Sequence, residues 1–488
     1  MKNNKLSSYA EDCELVIGLV APVGINLEDV DNRLRSYFDQ IGYKINSIRV
    51  SEIAASFFSD YGPLQEHERL DRGMNNGNKM RKKTERPDIF SLLAIDKIKT
   101  QRATDIESEK VLKRTVHVIR SLKTPDEVNT FRQVYGHGFF LLGISSSIES
   151  RKRYLTQDKG VPEGEIDRLI ARDDKEKDDF GQNTRGVFQM ADAFVDMDGE
   201  DLSDQLYRIL DLIFSKPVST PTPSEYAMFM AYAASLRSGD LSRQVGAVIS
   251  NDSFDIISTG ANDVPKFGGG LYWPGAEDQR DHVIGYDANE NQKKEIIIKI
   301  MKKIDIAEES EDELLKKGKL LLKDTGILDI TEYGRVVHAE MEALLCSARN
   351  GISTRGSILY TTTYPCHNCA KHIVAAGLKK VVYIEPYPKS YAATLHGDSI
   401  DSDGKGDLTK VVFKPFVGIG PRRFVDLFSI SLGNGRKIKR KEQGRVSSWE
   451  RRRGANVRVP MTPLSYIEAE EVLVNNLSEL TDLVVKDD

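Results

Sequence analysis

His338, Glu340, Cys366 and Cys369 are the residues whose types and spacing could do chemistry; they lie in VVHAEMEALL and, further on, TTTYPCHNCAKHI. One imidazole and two thiolates suit a tetrahedral zinc that keeps its fourth position for water. Glu340, two residues after the histidine, is a carboxylate placed to move that water's protons. The competing reading is a closed zinc site that only holds the fold, which needs a fourth protein ligand. His367 and Cys346 are the nearby candidates. His367 lies between the two cysteines and is expected to point away from their shared face. Cys346 stands eight residues after His338, about two turns along a helix, too far to share the metal. The pattern therefore reads as a catalytic zinc site.

Two helix starts must position these groups. His338 and Glu340 open a helix whose Ala343, Leu344 and Leu345 pack inward. Cys366 and Cys369 open another, after the strand Ile358 to Thr363 and the turn-forming Pro365. Side chains three apart on a helix share a face, so both sulfurs can reach one metal. Backbone N–H groups at the helix start favour the thiolate. Cys346 and Cys13 read as small buried hydrophobes.

The chain has 488 residues, enough for two or three domains. With 40% apolar and 29% charged residues it has the composition of an ordinary globular protein. A formal net charge of -5 argues against attraction of the whole chain to nucleic acid, leaving local basic patches open. Four cysteines, two of them in C-x-x-C, speak against a disulfide framework and for a reducing, cytoplasmic setting. MKNNKLSSYAEDCE has no apolar core of signal-peptide length, and no membrane span is expected.

In the first two hundred residues strand-like and helical runs alternate. Leu15 to Val20 reads as a buried strand, followed by a small-residue turn and a helix from about Leu27 to Gly42. Strand, turn and helix in this order suggest a phosphate-cradling loop, with Gly18, Gly24 and Asn26 as its candidates. Yet with Gly24 as the second glycine of G-x-x-x-x-G-K-[ST], the first glycine falls on Leu19, the lysine on Ile25 and the hydroxyl residue on Asn26. A fold of this kind without phosphotransfer is expected. Further strands are expected at Lys44 to Val50, Val116 to Arg120, Phe139 to Ile144 and Ala193 to Val195, giving a mostly parallel sheet covered by helices. RGMNNGNKMRKKTERPDIF reads as a mobile basic loop, and ARDDKEKDDFGQNTRGVFQMADAF as a charged helical surface. The run VVHVIRSLKTPDEVNTFRQVYGHGFFLLGISSSIESRKRYL resembles the later half of P-loop-class nucleotide kinases. That resemblance makes Arg151 and Arg153 candidates for a lid over phosphates.

FSKPVSTPTPSEYAM, with three prolines in seven residues, marks the domain boundary. Beyond it Ser224 is expected to cap a helix, and Val245 to Ser250 and Ile256 to Gly260 form a hairpin. H-x-E…P-C-x-x-C is the signature of zinc-dependent nucleobase deaminases, in which the glutamate is the general acid/base and not a ligand. SRQVGAVI, STGANDVP, HAEMEALL and YTTTYPCHNCAKHIVAAGLKKVVYIEPYPKS together resemble deoxycytidylate deaminases. They resemble still more the two-domain bacterial deaminases with an N-terminal P-loop-kinase-like domain that act in phage defence on deoxycytidine nucleotides. The resemblance implies an α/β chain: a degenerate P-loop-kinase-like regulatory domain over 1–215 and a cytidine-deaminase-fold α/β/α domain over 216–434. A basic segment and C-terminal helix would occupy 435–488.

The resemblance also implies Zn2+ and deamination of free dCTP and dCMP to dUTP and dUMP, depleting the deoxycytidine pool. Asn262 would bond the sugar hydroxyl, and Ala339 and Tyr364 would line the base pocket. Arg243 and Lys266 are candidates for reaching phosphates, and Glu385 for the pocket rim. A regulatory nucleotide or an inhibitory RNA or protein, and a dimer or hexamer, are further expectations. The sequence leaves open a polynucleotide deaminase acting on tRNA or single-stranded DNA, and a nucleotide-sensing module with a vestigial deaminase. About 264–330 is more chain than the connection needs; Ile296, Ile297, Ile300 and Ile304 at helical spacing mark an inserted helical hairpin. The basic segment between Gly435 and Pro460 is a candidate nucleic-acid footprint or triphosphate-reaching loop.

Overall fold

The run LVIGLV is buried along its whole length, as expected of a central parallel strand covered on both faces. In the computed structural model it is β1 (Leu15–Val20), followed by β2 (Lys44–Arg49), β3 (Thr115–Arg120), β4 (Phe139–Ser145) and β5 (Ala193–Asp196). A second sheet contains β6 (Gly246–Ser250), β7 (Ile256–Ala261), β8 (Ile358–Thr363), β9 (Lys380–Glu385), β10 (Ile400–Asp401) and β11 (Val411–Pro415). β12 (Gly418–Ile419) returns to the first sheet, antiparallel to β5. The structure describes residues 12–485 apart from 59–63, 105–110, 177, 305–309, 324, 388, 403–406 and 408. Residues 1–11, expected to lack a signal-peptide core, lie outside the described residues.

The chain forms two α/β units: Met1–Tyr226 with Pro415–Asp488, and Ala227–Lys414. The division falls inside the helix Pro223–Ser235, slightly later than the proline-rich boundary. The expected limits of 216–434 and 435–488 differ from this, because the chain from Pro415 onward packs into the first unit's core through Ile419, Leu427, Phe428 and Val457. Helix Pro223–Ser235 is capped by Thr222, whose hydroxyl accepts from the Glu225 N–H at 3.2 Å while the Glu225 carboxylate accepts from the Thr222 N–H at 2.7 Å. Thr222 takes the cap role expected of Ser224 because the helix begins earlier, with Pro223 in its first turn.

In the first unit the strand order is β12-β5-β4-β1-β3-β2. β1 pairs in parallel with β3 on one side and β4 on the other. Gly18 is inside β1 and not in the following loop: a Cβ there would lie 2.8 Å from both Leu122 and Phe139 side chains. It is a packing glycine. The stretch expected as a mobile basic loop is instead the helix Glu66–Thr84 followed by the helix Ile89–Thr104. A Gln65–Glu68 capping box starts the first, and Met74, Gly77, Met80 and Arg81 are buried along it. Tertiary burial overrides the weak helix propensity of its glycines and asparagines.

The basic C-terminal segment is also tied in. The Arg451 Nε donates to Asp211 at 2.8 Å, and Arg458 is fully buried, its Nε donating to the Asp426 carbonyl at 3.0 Å. Those two arginines are unavailable to a nucleic acid. Helix Pro463–Val474 carries Glu470, fully buried against Arg102, which also holds the fully buried Glu14 at 2.9 Å.

The second unit has strand order β10-β11-β9-β8-β6-β7, with β6 antiparallel to both β7 and β8 and β8 parallel to β9. Helices Ala288–Lys303 and Glu311–Leu321 lie in the expected insertion and pack on each other through Ile297, Met301 and Leu314. Among the described residues no helix is long and apolar enough to cross a membrane.

Candidate active site

Two glycines let the helices of the second unit approach the sheet closely enough to place the site. A Cβ on Gly260 of β7 would stand 2.1 Å from the Ala339 carbonyl and 2.5 Å from the Ala343 N–H, so the helix Ala339–Arg349 lies directly on the strand. A Cβ on Gly246 of β6 would meet the Ala231 carbonyl at 1.9 Å in the same way. Just before the first helix, Asp263 and Val337 form an antiparallel bridge, with N···O distances of 3.3 and 3.0 Å. That bridge fixes the backbone entering His338, which sits extended at the helix N-cap. Cys366 occupies the N-cap of the helix His367–Ala375, its sulfur accepting from the Cys369 N–H at 3.5 Å. The Ser390 hydroxyl donates to the Pro365 carbonyl at 2.8 Å and steadies the turn before it.

The ligand atoms converge as the spacing predicts. His338 Nδ1 lies 3.4 Å from the Sγ of Cys366 and 3.4 Å from that of Cys369. All three atoms fall within 4.8 Å of one another. Zn–N near ~2.0 Å and Zn–S near ~2.3 Å put the N···S edges of a tetrahedron at roughly 3.5 Å, so the set fits zinc. Cys346 and His367 are not part of the cluster. Three protein ligands leave the fourth position free for water, as in catalytic sites.

The protein groups polarise one another strongly. A hydrogen bond from Cys369 and the neighbouring His338 hold the Cys366 thiol down at about 4. His338 is pushed up to about 9, chiefly by its bond to Cys366. Cys369, beside that charged sulfur and deeply buried, is raised well above the ordinary thiol value. Glu340 is 4% exposed, its Oε2 3.6 Å from Cys369 Sγ, and burial raises its carboxyl above the usual range. It sits next to the ligand cluster without belonging to it.

The cluster opens into a cavity of about 630 Å³, large enough for a small-molecule substrate. Asn262, Ala339, Tyr364 and Arg243 line it. The Asn262 side chain also braces the adjacent loop, accepting from the Val245 N–H at 2.7 Å and donating to the Arg243 carbonyl at 2.8 Å. Tyr364 is held edge-on to Tyr383, with ring centroids 4.9 Å apart. Arg243 pairs with Glu385, which accepts from the Thr363 hydroxyl at 3.1 Å. Lys266 is not brought to this cavity: it stands exposed at the FGGG turn, where its N–H donates to the Gly270 carbonyl at 3.0 Å. The glycines at 268, 269 and 270, all at positive φ, fold that turn back on itself.

Other lining residues had no local signal. Asp281, Asp287, Asn289 and Asp329 to Glu332 come from the insertion and its flanks, so the added chain forms a wall of the cavity. Tyr387, Lys389 and Tyr391 form part of the lining after β9, and Lys389 pairs with Asp329.

The N-terminal candidates separate. Gly24, at φ +90, and Asn26, which caps the following helix by accepting from the Glu28 N–H at 3.2 Å, line a cavity in the first unit. Arg151 and Arg153 do not line it. Arg151 is buried, its Nε donating to the Val23 carbonyl at 2.8 Å, and exposed Arg153 bonds Ser150 at 3.1 Å. The lid expectation is therefore corrected: one arginine braces the loop and the other turns away.

Residues 221–385 match the family model described as the cytidine and deoxycytidylate deaminase zinc-binding region. The chain is 50% identical over 54 residues to the deoxycytidylate deaminase of Enterobacteria phage T4, covering 11% of this chain and 28% of that protein. It is 26% identical over 215 residues to the human deoxycytidylate deaminase, covering 44% of this chain and 90% of that one. It thus spans less than a third of the length of the phage T2 and T4 relatives it matches. Among solved structures, the dCMP deaminase of cyanophage S-TIM5 in complex with dCMP and dUMP matches at 22% identity, with a TM-score of 0.24, covering 40% of this chain and 98% of that chain.

Proposed function

We propose, taking residues 221–385 as a zinc-binding domain of the deoxycytidylate deaminase family, that the protein removes the 4-amino group of free deoxycytidine nucleotides by hydrolysis. The observation that carries this reading is the His338, Cys366, Cys369 cluster with buried Glu340 beside it at the floor of a nucleotide-sized cavity. Zinc, when bound there, supplies a Lewis acid that makes water nucleophilic near neutral pH. Glu340 would take one proton from the attacking water and deliver it to N3 of the base, then carry the second, from the new C4 hydroxyl, to the departing amine, so that water and cytosine give uracil and ammonia. Ala339, with no side chain beyond Cβ, leaves room for the pyrimidine, and the Tyr364 ring closes one side of it. Asn262, already held by two backbone bonds, offers its remaining amide valence to the sugar hydroxyl. Arg243 at the rim exchanges Glu385 for a substrate phosphate.

Within this reading the substrates are dCMP and dCTP, and loss of the deoxycytidine pool is the route by which the enzyme acts against phage. The resemblance to two-domain defence deaminases supports that role, and the wall built by the insertion supports a substrate that is a free nucleotide. Full-length protein is to be incubated with dCMP, dCTP and a cytosine-containing oligonucleotide, and the uracil products separated by chromatography. Conversion of the free nucleotides is expected; conversion of the oligonucleotide alone would overturn the proposal.

A further inference from the structure

Arg243 reaches the rim of the catalytic cavity on a stretch with no strand or helix of its own, 238–245. Backbone of this kind keeps one shape only where its polar groups are held. Part of the hold is internal. Asp240 Oδ1 accepts from the Ser242 N–H at 2.8 Å and the Arg243 N–H at 2.9 Å, and the Ser238 hydroxyl donates to the Asn262 carbonyl at 2.7 Å. The start of the loop, at Gly239, is fixed from outside it.

Gly239 is gripped on both sides of its backbone. Its N–H donates to Asp263 Oδ2 at 3.2 Å, and its carbonyl accepts from His282 Nδ1 at 3.2 Å. A Cβ there would lie 2.9 Å from both Arg280 Nη1 and His282 Cε1, so the socket takes a glycine without any shift. Asp263 is 1% exposed and also accepts from the Val264 N–H at 2.8 Å. Arg280, 6% exposed, pairs with the same Asp263 oxygen at 3.4 Å and grips Asp278 through Nε at 2.9 Å and Nη2 at 2.6 Å. Arg280 and His282 belong to the insertion. The Asp263 backbone meanwhile bridges Val337, next to the zinc ligand His338. One buried carboxylate thus joins the Arg243 loop, the insertion and the entry to the metal site. Stability alone is a poor reason for the arrangement, because a buried ion pair gains little over well-packed apolar side chains once both charges are stripped of water. What the pair supplies is a fixed position for the glycine it holds.

We propose that Asp263 is a positioning residue for phosphate recognition: paired with Arg280 of the insertion, it fixes Gly239 so that Arg243 faces the phosphate of a bound deoxycytidine nucleotide. This rests on the proposed function, in which Arg243 takes the substrate phosphate. The inserted chain is then more than a wall. Through Arg280 and His282 it sets the preference of the site for a nucleotide over its nucleoside. In the sequence Asp263 looks like one more turn residue after Asn262, and Arg280 like one more charge in a polar insertion.

The test uses the full chain and two product-type ligands that differ only in the phosphate, dUMP and deoxyuridine. Their binding is measured by isothermal titration, with KM and kcat for dCMP alongside. The wild type is expected to bind dUMP about tenfold more tightly than deoxyuridine, or better. Asp263→Asn is expected to lose about tenfold for dUMP and nothing for deoxyuridine, with the KM for dCMP raised by the same factor and kcat little altered. Added to Arg243→Ala, it is expected to cost no more than Arg243→Ala alone. His282→Ala, at an exposed position, frees the same glycine from its other side and is expected to give the same selective loss at about threefold; it carries the test where Asp263→Asn does not fold. A merely structural Asp263 would weaken both ligands equally. The proposal is overturned by equal losses for the two ligands, by unchanged dUMP binding in the single variants, by additive losses in the double variant, or by a wild type that binds dUMP no better than deoxyuridine. Selective loss of dUMP binding in a protein that does not turn over dCMP would sustain it and refute the deaminase reading alone.

Discussion

The two cavities handle charge in opposite ways. In the second unit the reactive groups converge on a point between two helix starts, and three of them match the geometry of one metal. In the first unit the loop after β1 is closed by Asp173, which accepts from the Val23 N–H, and Arg120, in the same cavity lining, has a buried Nη1 with no hydrogen-bond partner. The second unit presents the metal-ligand set and carboxylate that the proposed hydrolysis uses, whereas the first unit's cavity presents an unpaired cation. Both lie at strand ends, so position in the sheet does not separate them; the groups presented there do.

The largest expected effect breaks the comparison on the catalytic side: Glu340→Gln should lower deamination by about 10²–10⁴-fold, with zinc content by atomic absorption unchanged. In the first unit no change should create turnover. Next in size is the support of the first unit. Glu470→Ala removes a buried carboxylate that pairs with Arg102 beside Glu14, and breaking such a buried pair costs about 3–5 kcal/mol; urea unfolding measures it. Gly260→Ala pushes a Cβ into the Ala339 carbonyl. Overpacking of about 1–3 kcal/mol should move the His338 helix and reduce zinc retention against a chelator. Asp173→Asn, which removes the charge facing Lys123, should cost about 1–3 kcal/mol by the same unfolding assay, without creating activity. Smallest is Arg243→Ala, expected to raise the KM for dCMP about tenfold through loss of a charged hydrogen bond worth about 1.5 kcal/mol, with kcat little altered.

The legible part of the molecule was local. Leu15–Val20 and Ile358–Thr363 are strands with the limits their apolar runs predict, and the cap positions of His338 and Cys366 follow from motif spacing. Thr124 caps its helix with Glu127 as the Thr-Pro-Asp-Glu order implies. What failed depended on where a side chain points. The kinase resemblance offers Arg151 and Arg153 as a lid and charge offers Lys266 as a phosphate contact, but neither says that Arg151 braces a carbonyl or that Arg153 and Lys266 do not line the cavities. Arg120 and Asp173 went unseen for the converse reason: a strand end and a charged helix end acquire meaning only when the sheet sets Arg120 beside Arg49 and the fold sets Asp173 against Val23. The stretch from Arg72 to Phe90, rich in glycine and asparagine, is mainly helical, with Met74, Gly77, Met80 and Arg81 buried along it, a tertiary effect that local propensity does not carry.

The most direct measurement is the rate of dUMP formation from dCMP by the purified full chain, beside Glu340→Gln, with zinc quantified in the same samples. One zinc per chain in both proteins, with turnover in the wild type and its loss in the variant, is the predicted result. Equal rates in the two proteins, or no turnover of either dCMP or dCTP by a zinc-loaded wild type, would contradict the assignment of this site.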